Sequence, residues 1–267
     1  VSFAPVLLIV AAQAAGASAT GLPMNGGTAL EFLREAEVVS VEYFDNTAAT
    51  KPRKVTLSMN GSVHFAVFKT IDTHREGFER ASTRALHQVH DSYRHEIAAW
   101  ELADLMGLDV VPPCIERELD RETGSLCLWV EGASTARQLQ KQDRFHPPDQ
   151  QRIQDQLDDI RLFLQLVWDA EYNQASNILV DGSWKLYKID SSRSFKPEAK
   201  PKKSGSLSRY RQRTVAALEA MTREQLDERL GPWLEEDEID ALWKRRNRVL
   251  RQVEESVQEH GESATLY

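Results

Sequence analysis

Between positions 162 and 195 the order of apolar and polar residues changes its period twice. Leading into this stretch, Ile153, Leu157, Ile160, Leu164 and Val167 recur at spacings of 4, 3, 4 and 3, the period of a helix with one buried face. The helix is expected to run into Trp168. The period is lost over residues 169–176, and two short apolar runs follow: Ile178, Leu179 and Val180, then Leu186, Tyr187 and Ile189 beyond Asp181-Gly182. This order predicts helix, loop and β-hairpin, with a tight turn at Asp181-Gly182. Asp169 and Asn173 then lie in the loop, Asn177 enters the first strand, and Asp190 leaves the second.

From Glu37 onward the pattern has the period of a strand. Val38, Val39, Val41 and Tyr43 mark a first strand, Val55 and Leu57 a second, and Val63, Phe65, Val67 and Phe68 a third. Asn60-Gly61 between the last two is the strongest hairpin signal in the chain. Helical spacing returns with Ile97, Ala98, Trp100, Leu102 and Leu105, and Gly107 supplies the stop. Segments around Cys114 and Cys127 give two further strands with a turn near residues 121–124, completing a five-stranded antiparallel sheet. Pro147-Pro148 marks a loop before the helix that ends at Trp168. The tail is helical. Leu218, Leu226 and Leu230 lead to Gly231-Pro232, and Ile239, Leu242, Trp243, Leu250, Val253 and Val257 outline a long amphipathic helix. The basic run at residues 244–248 is expected on its solvated face.

Composition narrows the class. With 267 residues, 41% hydrophobic and 28% charged, the chain has an ordinary globular balance and room for one large or two small domains. A net charge of −8 argues against a sequence-independent nucleic-acid binder. The apolar run from Phe3 to Ala15, with Ala17-Ser18-Ala19 after it, resembles a secretory signal peptide cleaved before Thr20, although it lacks a basic beginning. It is too short for a stable membrane span. The expected organisation is therefore a signal peptide over 1–19, a linker or N-terminal extension over 20–36, a strand-rich part over 37–131 and a helical part over 132–267. The chain is expected to be exported, periplasmic or secreted, if that segment is a signal, and cytoplasmic otherwise. Cys114 and Cys127 flank the turn near residues 121–124, and either one disulfide or two buried thiols fits the sequence.

The candidate chemistry lies where charged residues enter these apolar patterns. Strand alternation puts Phe65, Val67 and Lys69 on one face, so the lysine continues an apolar side on which an unpaired ammonium is costly. It needs a partner, and Glu96 on the following helix is the candidate. The hairpin brings Asn177 and Asp190, 13 positions apart, to one end. There an amide oxygen and a carboxylate suit a hard divalent cation, and Asp169 is near enough to orient a hydroxyl. The polar loop at residues 45–55, with Thr47 and Thr50, offers backbone N–H groups that suit phosphates. Its charges at Lys51, Arg53 and Lys54 either meet phosphate or solvate the loop. No Walker A, Rossmann, zinc or Ser-His-Asp signature is present, and His146 has no partner at ligand spacing.

The run of Asp169, Asn173 and Asn177 followed by Ile178-Leu179-Val180 and Ile189-Asp190 resembles the atypical kinases, the group that joins Fam20-like secretory kinases, HipA-like kinases and phosphoinositide 3/4-kinases. The Asp190-Ser191-Ser192-Arg193-Ser194-Phe195 ending is most similar to the Fam20-like metal-binding segment. The resemblance covers residues 38–195. It implies an α+β, two-lobed protein-kinase-like fold: an N-lobe (37–131) with an antiparallel five-stranded sheet and one helix, and a mostly helical C-lobe (132–267). It implies ATP with Mg²⁺ or Mn²⁺, transfer of the γ-phosphoryl group to a hydroxyl of a protein Ser/Thr, glycan or lipid, and these roles. Lys69 binds phosphates, Glu96 holds Lys69 or the metal, Asp169 is the catalytic acid/base, and Asp190 is the principal metal ligand. Leu128, Val130 and Glu131, at the crossing between lobes, border the adenine. There is no HRD and no DFG, and Asp169 precedes Asn177 by 8 positions, longer than the usual kinase loop. Either the loop carries an insertion with Asn177 as second metal ligand, or Asn173 takes that place. A nucleotide-binding pseudokinase, an interaction scaffold and an AMP transferase are the alternatives.

Overall fold

A computed structural model of the protein describes residues 22–24, 26–44, 51–74, 90–169, 174–200, 207 and 209–267. Thr47, Thr50, Asn173, the signal-like segment and part of the basic stretch after Phe195 lie outside the described residues.

The N-terminal half is built on the expected five strands, β1 (Glu37–Tyr43), β2 (Arg53–Met59), β3 (Ser62–Lys69), β6 (Cys114–Leu119) and β7 (Glu122–Leu128). They form one antiparallel sheet in the order β1-β2-β3-β7-β6. Two hairpin turns use pairs of left-handed residues, Asn60 (φ 52°) with Gly61 (φ 80°), and Asp120 (φ 53°) with Arg121 (φ 68°), as the twist of paired strands requires. The second turn is thus shifted from the expected residues 121–124, and Gly124 lies inside β7. A Cβ there would come within 2.2 Å of the Lys69 carbonyl oxygen, so a glycine is needed for β3 and β7 to close beside Lys69. A short pair, β4 (Asp72–His74) and β5 (His90–Ser92), leads into α2 (Tyr93–Leu105). Ser92 caps α2, its side chain accepting from the Arg94 N–H. Gly107 (φ 63°) ends that turn as expected.

Between residues 37 and 131 the described residues hold the one expected helix, α2; a further helix precedes the sheet, and the two lie on its opposite faces. Within the segment assigned to a linker or extension, Gly26–Glu35 forms α1. It buries Ala29, Phe32 and Leu33 against Val55, Leu57, Ala66, Phe68, Leu126 and Leu128. Phe32 and Leu33 each contribute about 1.5–3 kcal/mol by burial. Arg117 donates to the carbonyls of Leu33 (2.7 Å) and Ala36 (2.7 Å), where a cation satisfies the orphan acceptors of a helix end. Helix α2 lies on the other face, and its core is continuous with that of the C-terminal half. Arg53, expected in the polar loop either to meet phosphate or to solvate it, begins β2 instead and is 5% exposed. Its guanidinium pairs with Glu122 at 2.7 Å and lies 4.7 Å from the Phe68 ring centre.

The C-terminal half contains β8 (Ser134–Thr135), α3 (Ala136–Lys141), α4 (Gln150–Val167), β9 (Ile178–Val180), β10 (Leu186–Lys188), α5 (Gln212–Ala220), α6 (Arg223–Leu230), α7 (Glu236–His260) and α8 (Glu262–Thr265). Strands β8, β9 and β10 form a small sheet in the order β10-β9-β8. The β9–β10 turn spans residues 181–185 instead of closing at Asp181-Gly182. The Asp181 carboxylate organises it by accepting from the N–H groups of Ser183 (2.8 Å) and Lys185 (3.0 Å). The basic run in α7 is not wholly solvated. Arg245 is 0% exposed and donates to the carbonyls of Leu166 (2.6 Å), Lys196 (2.9 Å) and Glu198 (2.7 Å). Burial pushes its guanidinium down to about 10 against the opposing pull of Glu198 and Glu238, which leaves it charged at neutral pH. One buried cation therefore ties the end of α4 to the chain beyond Phe195.

The alternatives for the cysteines resolve to a disulfide, because Cys114 and Cys127 are direct partners across β6 and β7. It closes a loop of sequence separation 13. Replacing both cysteines by alanine is expected to lower the unfolding free energy by about 2–4 kcal/mol, read from urea denaturation. An unchanged urea midpoint would show that the bridge adds nothing to the hairpin's own pairing.

Candidate functional site

Four of the residues singled out by the sequence meet in one cleft of about 600 Å³ between the two halves: Lys69, Glu96, Asn177 and Asp190. Each arrives by its own element. Lys69 ends β3, Glu96 sits in the first turn of α2, Asn177 precedes β9, and Asp190 follows β10. The Ile189 N–H donates to the Asn177 carbonyl at 3.0 Å, so the hairpin places the two candidate metal ligands at the same end, as expected.

Lys69 is the electrostatic centre. Its ammonium donates to Glu96 Oε1 at 2.5 Å and to Asp190 Oδ1 at 2.6 Å. Burial by itself would lower the lysine's pKa, but the carboxylates of Glu96 and Asp190 reverse that and hold it above the ordinary range. Asp190 shows the mirror effect. Burial would raise its pKa, yet Lys69, with Lys188 and Arg193, holds it below the usual carboxylate value. The second oxygen of Glu96 accepts from the Ser191 N–H at 2.9 Å. Both oxygens of Glu96 thus have partners, one of them Lys69.

The segment after Asp190 is fastened to α2 and the strand before it. Ser92 N–H donates to the Ser192 carbonyl (2.9 Å), His95 Nδ1 lies 3.0 Å from the same oxygen, and Arg193 Nε donates to Asp91 Oδ2 (2.9 Å). On its other side His95 Nε2 is 3.3 Å from Glu238 Oε1 on α7. The helix that carries Glu96 is thereby held against the segment after Asp190 and against α7.

Asp169 lies behind the cleft, 1% exposed, with its Oδ2 2.8 Å from the Lys188 ammonium. Lys188 is the residue that sequence reasoning missed. Its signal is the same one that marked Lys69: alternation along β10 places Lys188 on the side of Leu186, itself 1% exposed, so a lysine again continues an apolar face. A second omission is the pair Phe44 and Trp129, which line the cleft with ring centres 6.0 Å apart and planes at 16°. Aromatic residues far apart in the sequence give no signal of such a stack.

The three hinge residues take different places. Leu128 borders the cleft, but its side chain, 2% exposed, packs in the α1-side core, because its strand parity points it away from Lys69. The Glu131 carboxylate turns to His64 Nδ1 at 2.9 Å and is not among the cleft residues. Val130 does line the cleft.

The donor set fits a divalent cation carried with a nucleotide. Among the described residues no group of three or more His, Cys, Asp or Glu gathers to hold a metal, so an all-protein cage is not formed there. Asp190, with its side chain 40% exposed, and Asn177 supply two oxygen donors in the cleft. Mg²⁺-type ions commonly take one or two protein oxygens and complete their shell with phosphates and water.

No family model matches the sequence, and comparison with curated proteins finds no relative. Solved structures do match. Hydra Fam20, solved with sugar, superposes with a TM-score of 0.62 at 16% identity over 89% of this chain and 90% of that one. The Golgi casein kinase gives a TM-score of 0.60 at 14% identity over 90% of this chain and 76% of that one. The chain therefore has the two-lobed fold of Fam20-type atypical kinases.

Glu96→Gln is expected to lower stability by about 1–3 kcal/mol, since it removes one of two carboxylates around a buried ammonium while Asp190 remains. The sign with pH follows from the shifts. The Lys69 contribution is complete below the ordinary lysine value of 10.5 and is lost as pH rises through the higher folded value. That of Asp190 is complete above 3.8 and is lost as pH falls through its depressed folded value. The difference between native protein and variant, measured by chemical denaturation, should be level between these limits. A difference that vanishes at neutral pH would remove the ion pair from the account.

Proposed function

We propose that the cleft binds ATP with Mg²⁺ or Mn²⁺ and transfers the γ-phosphoryl group to a hydroxyl acceptor. The observation that carries this reading is the Lys69 ammonium bridging Glu96 and Asp190 in a cleft that also receives Asn177. A strand lysine held by a helix glutamate, beside an acid and an amide able to hold a metal, is the device of phosphoryl transfer in kinases. The Fam20-type fold supports it.

In this reading Asp190 and Asn177 hold the cation, which when bound neutralises charge on the phosphates. Lys69 uses two N–H donors on carboxylates and presents its third to phosphate. Glu96 keeps that ammonium charged and aimed. Val130, Leu179, Phe44 and Trp129 provide the apolar part of the cleft for the base. Asp169 orients the acceptor hydroxyl. Because its side chain is 1% exposed, the acceptor meets it only after the groups that cover it give way. The acceptor class is a protein Ser/Thr, glycan or lipid hydroxyl; the matched structures are of a Fam20 solved with sugar and of a casein kinase, which supports the first two. The Cys114–Cys127 disulfide and the signal-like N-terminal segment support an oxidising, exported setting. No helix among the described residues is long and apolar enough to cross a membrane.

The test is the unfolding midpoint with ATP, with metal, and with both. Ligand at about 100 times its Kd stabilises by ~2.7 kcal/mol, or roughly 5–10 °C for a domain of this size. Native protein should show that rise only with ATP and metal together, Asp190→Ala should lose it, and labelled ATP should then be consumed with a suitable acceptor. A shift that survives in Asp190→Ala would refute the metal assignment, and none in native protein would favour a scaffold.

A further inference from the structure

We infer that Lys188 is a positioning residue that couples the acceptor-orienting acid to the metal ligand. The inference rests on the phosphotransferase reading of the cleft. Lys188 is 1% exposed. Its ammonium is 2.8 Å from Asp169 Oδ2 and donates to the carbonyls of Ile189 at 2.6 Å and Asp190 at 2.9 Å. Two of its three N–H donors go to these carbonyls, and the Asp169 carboxylate is its ion-pair partner. This separates it from Lys69, whose ammonium donates to two carboxylates in the cleft.

The partners define the role. Asp169 is buried to 1% exposure, where a polar group without a partner is costly. Asp190 has φ 63°, a left-handed conformation that residues with a Cβ adopt at a cost, aspartate at a smaller one than most. The carbonyl of that strained residue is one of the oxygens that Lys188 grips. One buried ammonium thus fixes the direction of the Asp169 carboxylate and the backbone from which the Asp190 carboxylate projects. Moving Asp169 disturbs its ion pair with this nitrogen, and moving the Asp190 backbone breaks a hydrogen bond to it. Lysine suits the task because its compact ammonium meets two carbonyls and a carboxylate at one point, whereas arginine offers a planar fork.

Lys188→Met tests this, assayed in the full chain for kcat, for nucleotide binding without metal, and for the Mn²⁺ concentration that half-saturates the nucleotide-dependent midpoint shift. Loss of a positioning partner typically costs about 10- to 100-fold in activity or metal affinity. The expected result is a kcat loss in that range and a rise of about 10-fold in the Mn²⁺ requirement, with metal-free nucleotide binding unchanged because Lys69 and Glu96 are intact. In an Asp169→Asn background the same substitution should cost much less in kcat, since residues that act as a unit are not additive. A purely structural lysine would give a lower baseline midpoint with kcat and the Mn²⁺ requirement unmoved, which overturns the inference. Full additivity with Asp169→Asn overturns it too. If Lys188→Met does not fold, Lys188→Arg keeps the charge and should show the same two losses in smaller degree; native values of both would be decisive against the role. An inactive native protein with no metal-dependent nucleotide shift would instead refute the underlying reading, and the positioning role with it.

Discussion

The cleft depends on an ammonium that the sheet carries into a place with little water. Lys69 sits on a strand face that is otherwise apolar, and burying its charge is tolerable only if carboxylates meet it. Glu96 and Asp190 both do so. One of them comes from α2 and the other from the exit of β10, so the lysine's electrostatic need fixes where both elements stand. The two halves of the molecule are held in register by charge as much as by apolar packing.

The remaining contacts make that register rigid. Ser191, Ser192 and Arg193 each bond to α2 or to the strand before it. His95 links the same helix to α7 through Glu238. Because α2 also shares its apolar core with the C-terminal helices, shifting Glu96 away from Lys69 would disturb hydrogen bonds and packing together. Three non-glycine residues with left-handed backbone, Trp168 (φ 51°), Asp190 (φ 63°) and Phe195 (φ 58°), lie around the site. Such conformations persist where surrounding bonds over-determine them. Here those bonds include Phe195 N–H to the Val167 carbonyl (2.5 Å), Lys188 on the Asp190 carbonyl, and Arg245 on the Leu166 carbonyl beneath Trp168.

Much of this was legible in the residue order. The alternation of Phe65, Val67 and Lys69 exposed a buried lysine, and Asn60-Gly61 placed one hairpin. The two apolar runs after Asp169 implied a hairpin that returns Asp190 to Asn177. What stayed hidden depends on contacts between distant segments. Helix α1 is short, and its worth comes from the sheet face it covers. Arg245 looks like any residue of a solvated basic run until the Leu166, Lys196 and Glu198 carbonyls are brought to it. Leu128 and Glu131 were assigned by their place in the order, but strand parity turned one into the α1-side core and His64 drew the other away.

The sequence by itself determined the periods of the strands and helices, the order of lysine, glutamate and the two aspartates, and thus the class of fold, because these rest on local spacing and on the cost of burying charge. Only the tertiary structure decided the pairing of Cys114 with Cys127, the second helix on the sheet, and the grip of Lys188 on Asp169 and Asp190. Those depend on register and on the meeting of groups far apart in the chain, where a difference of one residue in strand alignment reverses which face a side chain occupies.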